Sequence, residues 1–289
     1  MLSFIKIKEK IVYKKRVYLE YIRLFLLKKR IITAYKHNAD PELKSIVKFL
    51  KQNPINVFPY SFVKKYNPES INVQFDSTLN LPFIDYFGKK LFLQRTMNKA
   101  RLKKYVNSLF IEQDSASPHR YLNENFNVNP GDVVFDVGTA EGNFSLGVVD
   151  VAQKIYLFEP GADWLEPLQA TFNPWKEKVF IISKFVSDNV NENTVTIDSI
   201  TEDKIDFLKV DVEGFETKIL DGATKLLNEK KIKKTAICTY HQQQDEKIIN
   251  TILTNKGFTV NSTNGYMLFY YDKNIAYPYF RKGLLRAIL

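Results

Sequence analysis

A single cysteine, three histidines and two tryptophans are spread over 289 residues, and the shortage of each narrows the field. One cysteine, Cys238 in the run TAICTY, forms no internal disulfide, which suits a reducing compartment, so a cytoplasmic location is expected. No stretch reaches the roughly 18 to 20 consecutive apolar residues of a membrane span, and no clean apolar segment precedes a small-residue cleavage site near the N-terminus. Neither spanning nor secretion is expected. Composition is otherwise that of a folded chain, since 45% apolar residues suffice for at least one full core.

The formal charge of +10 is unevenly placed. Residues 1–36 hold eleven Lys and Arg against Glu9 and Glu20, a net of +9 that leaves +1 for the remainder. Tyr18, Tyr21, Ile22, Phe25 and Ile32 recur there at helical spacing among Lys14, Lys15, Arg16, Arg23, Lys28, Lys29 and Arg30. The segment reads as a basic amphipathic arm able to lie on an anionic membrane surface, which would make the protein peripheral on the inner face; a helix packed on its own domain is the competing reading. The C-terminal run RKGLLRAIL, 281–289, looks like a smaller version of the same pattern.

Residues 37–128 form the expected second region. A helix with Leu43, Ile46, Val47 and Leu50 on one face precedes Pro54, short β-type runs over 71–93 suggest an antiparallel meander, and a helix is expected over 97–110. From 129 to 289 the runs VVFDV, KIYLFE, KVFIIS, IDFLKVD and TAICTY alternate with helix-length segments, the pattern of βαβ units. Two strands around Asn264-Gly265 are expected to close the sheet as an antiparallel hairpin. The predicted fold is therefore α/β: a doubly wound, mostly parallel sheet with an N-terminal α+β extension.

The chemistry gathers at the expected carboxyl edge of that sheet. VVFDVGTAEGNFSL is a strand ending in Asp136, a turn through Gly138, Thr139, Glu141 and Gly142, and then a helix. Gly138 permits a tight turn with close ligand approach, and Gly142 opens the helix without a blocking side chain. Ala140 and Asn143 stand where the dinucleotide fingerprint needs glycine, which argues against a nicotinamide enzyme. Glu159 ends the second strand 21 residues after Gly138, where a carboxylate accepts both hydroxyls of a ribose. Asp188, after the third strand, is positioned to accept from an adenine amino group, although Asp before Asn is also ordinary turn chemistry. Asp211 and Glu213 follow the fourth strand and His241 the fifth, giving a candidate general base in the order His241, Asp211, Glu213, or a divalent-cation site in which a metal is possible without being expected. A helix-start acid for Glu213 and a satisfied core histidine for His241 are the alternatives.

Through DVGTAEGNFSL, YLFEP, TIDSI, IDFLKVDVEGFE and TYH, the stretch from Asp136 to His241 resembles the FkbM family of methyltransferases. It is similar to a bacterial branch in which EQD…SPHRY precedes the first strand, here Glu112, Gln113, Asp114, Ser117, Pro118, His119, Arg120 and Tyr121. The resemblance implies the class I methyltransferase fold, S-adenosylmethionine (SAM) as cofactor, and methyl transfer to an oxygen of a small-molecule or glycan acceptor. Asp136, Gly138, Thr139, Glu141, Gly142, Glu159, Asp188 and Asp211 are the expected cofactor residues; Asp114, His119 and Arg120 are expected to meet the acceptor. One departure stands out: the link between Asp188 and Thr196 is short for the family. A non-catalytic SAM-binding or membrane scaffold, and a nucleic-acid methyltransferase, are the alternatives; no Asn/Asp-Pro-Pro motif follows the fourth strand, so no nucleic-acid partner is expected.

Overall fold

The computed structural model describes residues 2–289, with the side chains of 2–11 and 13 left outside the description. In chain order the helices are α1 (Leu2–Ala34), α2 (Pro41–Gln52), α3 (Lys99–Glu112), α4 (Asn143–Val148), α5 (Ala162–Phe172), α6 (Glu216–Asp221), α7 (Thr224–Asn228) and α8 (Asp245–Asn255). The strands are β1 (Gln74–Asp76), β2 (Leu81–Tyr86), β3 (Lys89–Phe92), β4 (Val133–Val137), β5 (Lys154–Phe158), β6 (Val179–Ile182), β7 (Phe185–Val186), β8 (Thr194–Val195), β9 (Ile205–Val210), β10 (Ile232–Cys238), β11 (Thr259–Ser262) and β12 (Leu284–Ile288).

Two compact units result, one running to Ser61 and taking in Leu268–Phe280, the other Phe62–Met267 with Arg281–Leu289. This division falls elsewhere than the expected boundaries at 36 and 128. In the first unit, α2 starts where Asp40 accepts from the amides of Glu42 and Leu43 ahead of Pro41, and buries Ile46, Val47 and Leu50 as its periodicity predicts. The arm is part of this unit. Leu27, Ile31 and Tyr35, four residues apart, are buried, and the Tyr35 ring meets Tyr277 and Phe280 at 5.6 and 5.0 Å. Tyr18, Tyr21 and Phe25, on the face the spacing singles out, remain exposed.

The second unit holds the meander β1–β2–β3, antiparallel as expected, and a seven-stranded sheet of order β11-β12-β10-β9-β4-β5-β6. Strands β6, β5, β4, β9 and β10 run parallel, and β12 is antiparallel to both β10 and β11. Period-two alternation divides the core between the two faces: Val134, Leu157, Phe207, Ala236 and Leu284 on one, Phe135, Phe158, Leu208, Ile237 and Leu285 on the other.

Two expectations fail at the C-terminus. Asn264-Gly265 makes a turn, Gly265 at φ +89°, yet no hairpin strand follows it, because Met267 bridges to Arg281 and the Leu268 amide donates to the Val57 carbonyl of the first unit. The return strand is β12, inside RKGLLRAIL. That run is therefore no basic amphipathic tail but a sheet strand, with Leu284, Leu285 and Ala287 buried between its neighbours.

Candidate active site

Parallel register places Asp136 of β4 directly beside Lys209 of β9 on the same face of the sheet. The Lys209 ammonium lies 3.0 Å from Asp136 Oδ1 and donates to the Gly138 carbonyl at 2.6 Å, while Ser145 Oγ donates to Asp136 Oδ2 at 2.7 Å. Burial alone would lower the Lys209 pKa; Asp136 and Asp211 outweigh it and raise the value above its ordinary range. Asp136 is thus consumed inside the protein, where it anchors the turn of Gly138. It is fully buried and is not among the residues that line the cleft.

The turn is held open by backbone. Gly138, Ala140 and Gly142 have φ of +76°, +48° and +85°. A Cβ on Gly138 would meet the Asp211 carbonyl oxygen at 1.9 Å, so glycine lets β4 and β9 end side by side. A Cβ on Gly142 would meet the Phe172 ring at 2.7 Å; its role is packing against α5. Thr139 Oγ1 donates to the Asp136 carbonyl, and Glu141 is buried, its carboxylate accepting from Tyr105 OH. Thr139, Glu141 and Gly142 shape the turn from behind and do not line the cleft in front of it.

That cleft, about 640 Å³, is lined by Gly138, Ala140, Phe158, Glu159, Trp164, Phe185, Val186, Asp211, Glu213 and Phe215 among others. Glu159 sits at the tip of β5 with Oε2 accepting from the Ala140 amide at 2.8 Å and Oε1 from the Gly161 amide at 2.7 Å. Each oxygen keeps a second lone pair for a ligand hydroxyl. Asp188 lies elsewhere: exposed beyond β7, it pairs with Lys218 at 2.6 Å and accepts from Ser187, and these partners hold its pKa below the usual carboxylate range. The wall expected from Asp188 is made by Phe185, Val186 and Ser187.

At the other end of the cleft, Asp211 collects the remaining polar groups. Tyr121 OH donates to its Oδ2 at 2.7 Å and Tyr240 OH to its Oδ1 at 3.3 Å; His119 Nε2 is 3.5 Å from Oδ2 and His241 Nε2 is 3.7 Å from Oδ1. Burial pushes the Asp211 pKa up, but His119, Lys209 and His241 prevail and hold it well below its ordinary value. Asp211, Glu216 and His241 bring ligand-type atoms within 4.8 Å of one another, as do His119, Asp211 and Cys238, and in each trio the histidine contacts its two partners through hydrogen bonds or ion pairs. Glu213 is apart from them, exposed on the cleft wall at φ +52°.

The segment before the first strand of the sheet splits by alternation. His119 and Tyr121 turn inward to Asp211. Asp114 instead binds Tyr66 OH at 2.6 Å, Lys65 and the Ala116 amide, and the Arg120 carbonyl accepts from Arg286. Neither Asp114 nor the backbone anchor at Arg120 belongs to the Asp211 cluster. Lys209, Tyr121, Tyr240 and Glu216 lie inside the quoted motifs, yet motif reading gives them no role. Lys209 carries a visible signal, a lysine between the apolar residues Phe207, Leu208 and Val210 of its strand.

A mostly parallel sheet with one antiparallel strand inserted near its edge, and a glycine turn at the carboxyl end of an inner strand, here β4, is the class I methyltransferase fold. The family model for the methyltransferase FkbM domain matches residues 86–260, more than half of the chain, and the chain belongs to that family. Among solved structures it is similar to methyltransferase FkbM from Methylobacillus flagellatus, at 19% identity and TM-score 0.46 over 65% of this chain and 54% of that one. It is also similar to a putative methyltransferase, SMU.1697c, from Streptococcus mutans in complex with SAH (16% identity, TM-score 0.37, 56% of this chain and 91% of that one). An rRNA methylase from Streptococcus thermophilus aligns at 16% identity and TM-score 0.40, over 56% of this chain and 87% of that one. The chain thus spans about half the length of the Methylobacillus protein. No curated protein matches it.

Proposed function

We propose that this chain transfers a methyl group from SAM to a hydroxyl oxygen of a glycan, glycolipid or related metabolite. The observation that carries the reading is one cleft with a diol-accepting carboxylate, Glu159, at one end and the Asp211 cluster at the other. The residues fit the cofactor: Glu159 has lone pairs for the ribose, Phe158, Trp164, Phe185 and Val186 offer apolar walls to adenine, and half-buried Asp211 offers a negative charge to a sulfonium. When bound, the cofactor supplies an activated methyl carbon.

An acceptor hydroxyl placed between Asp211 and His241 has its O–H within reach of His241 Nε2. In that placement His241 Nε2 would take the hydroxyl proton, while the cofactor, held by Glu159 and the apolar walls, would supply the methyl group and leave as its neutral thioether. Asp211, Tyr121 and Tyr240 orient the hydroxyl, and positioning supplies a large share of the rate. Burial lowers the His241 pKa, but Glu216, Asp211 and Asp245 outweigh it and raise the value above the ordinary one. The base form is therefore gained as pH climbs through that raised value, and turnover rises with it.

The test is SAH release from SAM with a panel of methyl glycosides and nucleotide sugars. His241→Asn is expected to keep SAM affinity and to lose about 10²-fold or more in turnover, and turnover is expected to survive EDTA. A folded His241→Asn protein with full activity would remove the base; absence of SAM binding by the wild type would remove the whole reading.

The exposed face of the arm adds a location. No helix among the described residues is long and apolar enough to cross a membrane. We propose peripheral attachment to an anionic membrane surface, supported by exposed Tyr18, Tyr21 and Phe25 beside Lys14, Lys15 and Lys29.

A further inference from the structure

The segment after β9 supplies two carboxylates, and they lie on opposite sides of one imidazole. Positive φ at Glu213 (+52°) and Gly214 (+98°) turns the chain back on itself between Asp211 and the start of α6. Glu216, the first residue of α6 and 1% exposed, thereby comes to lie against His241, with Oε1 2.7 Å from His241 Nδ1. On the other side, Asp211 Oδ1 is 3.7 Å from His241 Nε2.

We infer that Glu216 is a positioning residue for His241. Its Oε1 also receives the Val212 amide at 3.3 Å, so this oxygen is an acceptor, and the 2.7 Å contact places a proton on Nδ1. With Nδ1 protonated, the neutral ring has its lone pair on Nε2, the nitrogen that faces Asp211, itself a residue of the cleft wall. The backbone is fixed as well: Arg281 Nη1 donates to the carbonyls of Tyr240 and His241 at 2.9 and 2.6 Å, and the Tyr240 ring lies 4.0 Å from the imidazole. Ring orientation and tautomer are thus set from behind by a carboxylate that does not line the cleft. A third acid, Asp245 at the start of α8, adds its charge to those of Asp211 and Glu216 around the ring. This rests on His241 acting as the base, and it goes further by assigning to Glu216 the choice of which nitrogen does the work.

The experiment is long-range proton–nitrogen NMR of the full-length protein with labelled imidazoles, three in all, with assignment by His241→Asn. In the wild type, neutral His241 is expected to carry its proton on Nδ1. In Glu216→Gln, whose amide can bond either tautomer, the Nε2–H form is expected to become populated and the titration to move to lower pH. Turnover with whichever glycoside of the panel is methylated is expected to fall about tenfold or more, with KM for SAM and calorimetric SAM affinity unchanged. Glu216→Asp keeps the charge and should retain the wild-type tautomer even where Glu216→Gln is unstable. An unchanged tautomer and titration in Glu216→Gln overturns the inference, as does an Nε2–H tautomer in the wild type. Full activity in His241→Asn sinks the base reading by itself, because the NMR result stands independently of it.

Discussion

Glu141 shows how a residue can belong to a motif without touching its ligand. Burial raises its pKa to about 7, against the opposing hydrogen bond from Tyr105, and Glu112 is raised to about 7 by burial as well. A carboxyl whose folded pKa exceeds its unfolded value favours folding below the unfolded value, near 4.5, and that stability is lost as pH rises through 7. Glu141→Gln keeps an acceptor for Tyr105 and removes the buried charge. It is expected to raise stability by about 1 to 3 kcal/mol at pH 8 and to change little at pH 4.5, measured by urea unfolding at both. Glu159, in contrast, lines the cleft and is the proposed diol acceptor. Glu159→Ala removes the diol acceptor and should weaken SAM binding by about 1.5 to 3 kcal/mol; calorimetry on the folded variant checks this, and unchanged affinity would take Glu159 out of the site. Sequence position alone placed Glu159 at the cleft, because distance from the glycine turn is a chain property. It gave no sign of the Asp136–Lys209 pair, because Lys209 lies 73 residues away and only strand register brings the two together.

At the scale of elements, the turn after β4 and the end of β9 depend on each other. Gly138→Ala would drive a methyl group into the Asp211 carbonyl, whereas Gly131, at φ +87° with nothing within 4 Å of the added Cβ, bears the backbone cost alone. Gly131→Ala should cost about 1 to 2 kcal/mol, and Gly138→Ala clearly more, with weakened SAM binding because Asp211 is displaced. Equal losses in urea unfolding would show that the β9 edge gives way freely. Strand identities in the sheet were legible because buried parallel strands read as apolar runs bounded by turns. The return strand β12 was not. Arg281 just ahead of it and Arg286 within it resemble the arginines of the arm, and Arg286 is buried enough for its pKa to be lowered while its guanidinium donates to the Tyr121 and Arg120 carbonyls.

For the whole molecule, the arm must be tested without removing its packing residues. Deleting 1–36 would also remove Leu27, Ile31 and Tyr35 from the first unit's core. Substituting Tyr18, Tyr21 and Phe25 by Ser and Lys14, Lys15 and Lys29 by Gln leaves that stripe intact. Each basic residue near an anionic surface contributes about 1 kcal/mol, so wild-type protein is expected to float with phosphatidylserine vesicles at low salt and to release at high salt, and the six-fold variant to stay in solution. Failure of the wild type to bind at low salt would leave the face as solvent-exposed helix.

What the sequence determined by itself was local and periodic: the alternation of apolar runs, the glycine turn, the acid at the tip of β5, the uneven charge. These depend on near neighbours in the chain, and the family resemblance is written in the same short motifs. Only the tertiary structure decided which carboxylates face the cleft and which are spent inside. Asp136 pairs with Lys209, Asp188 with Lys218, Asp114 with Tyr66, and Glu216 turns to His241. A charged side chain near a sheet edge acquires its role from the partner that folding brings within about 3 Å, and a buried charge without one costs several kcal/mol, so long-range register and not local spacing distributes the chemistry.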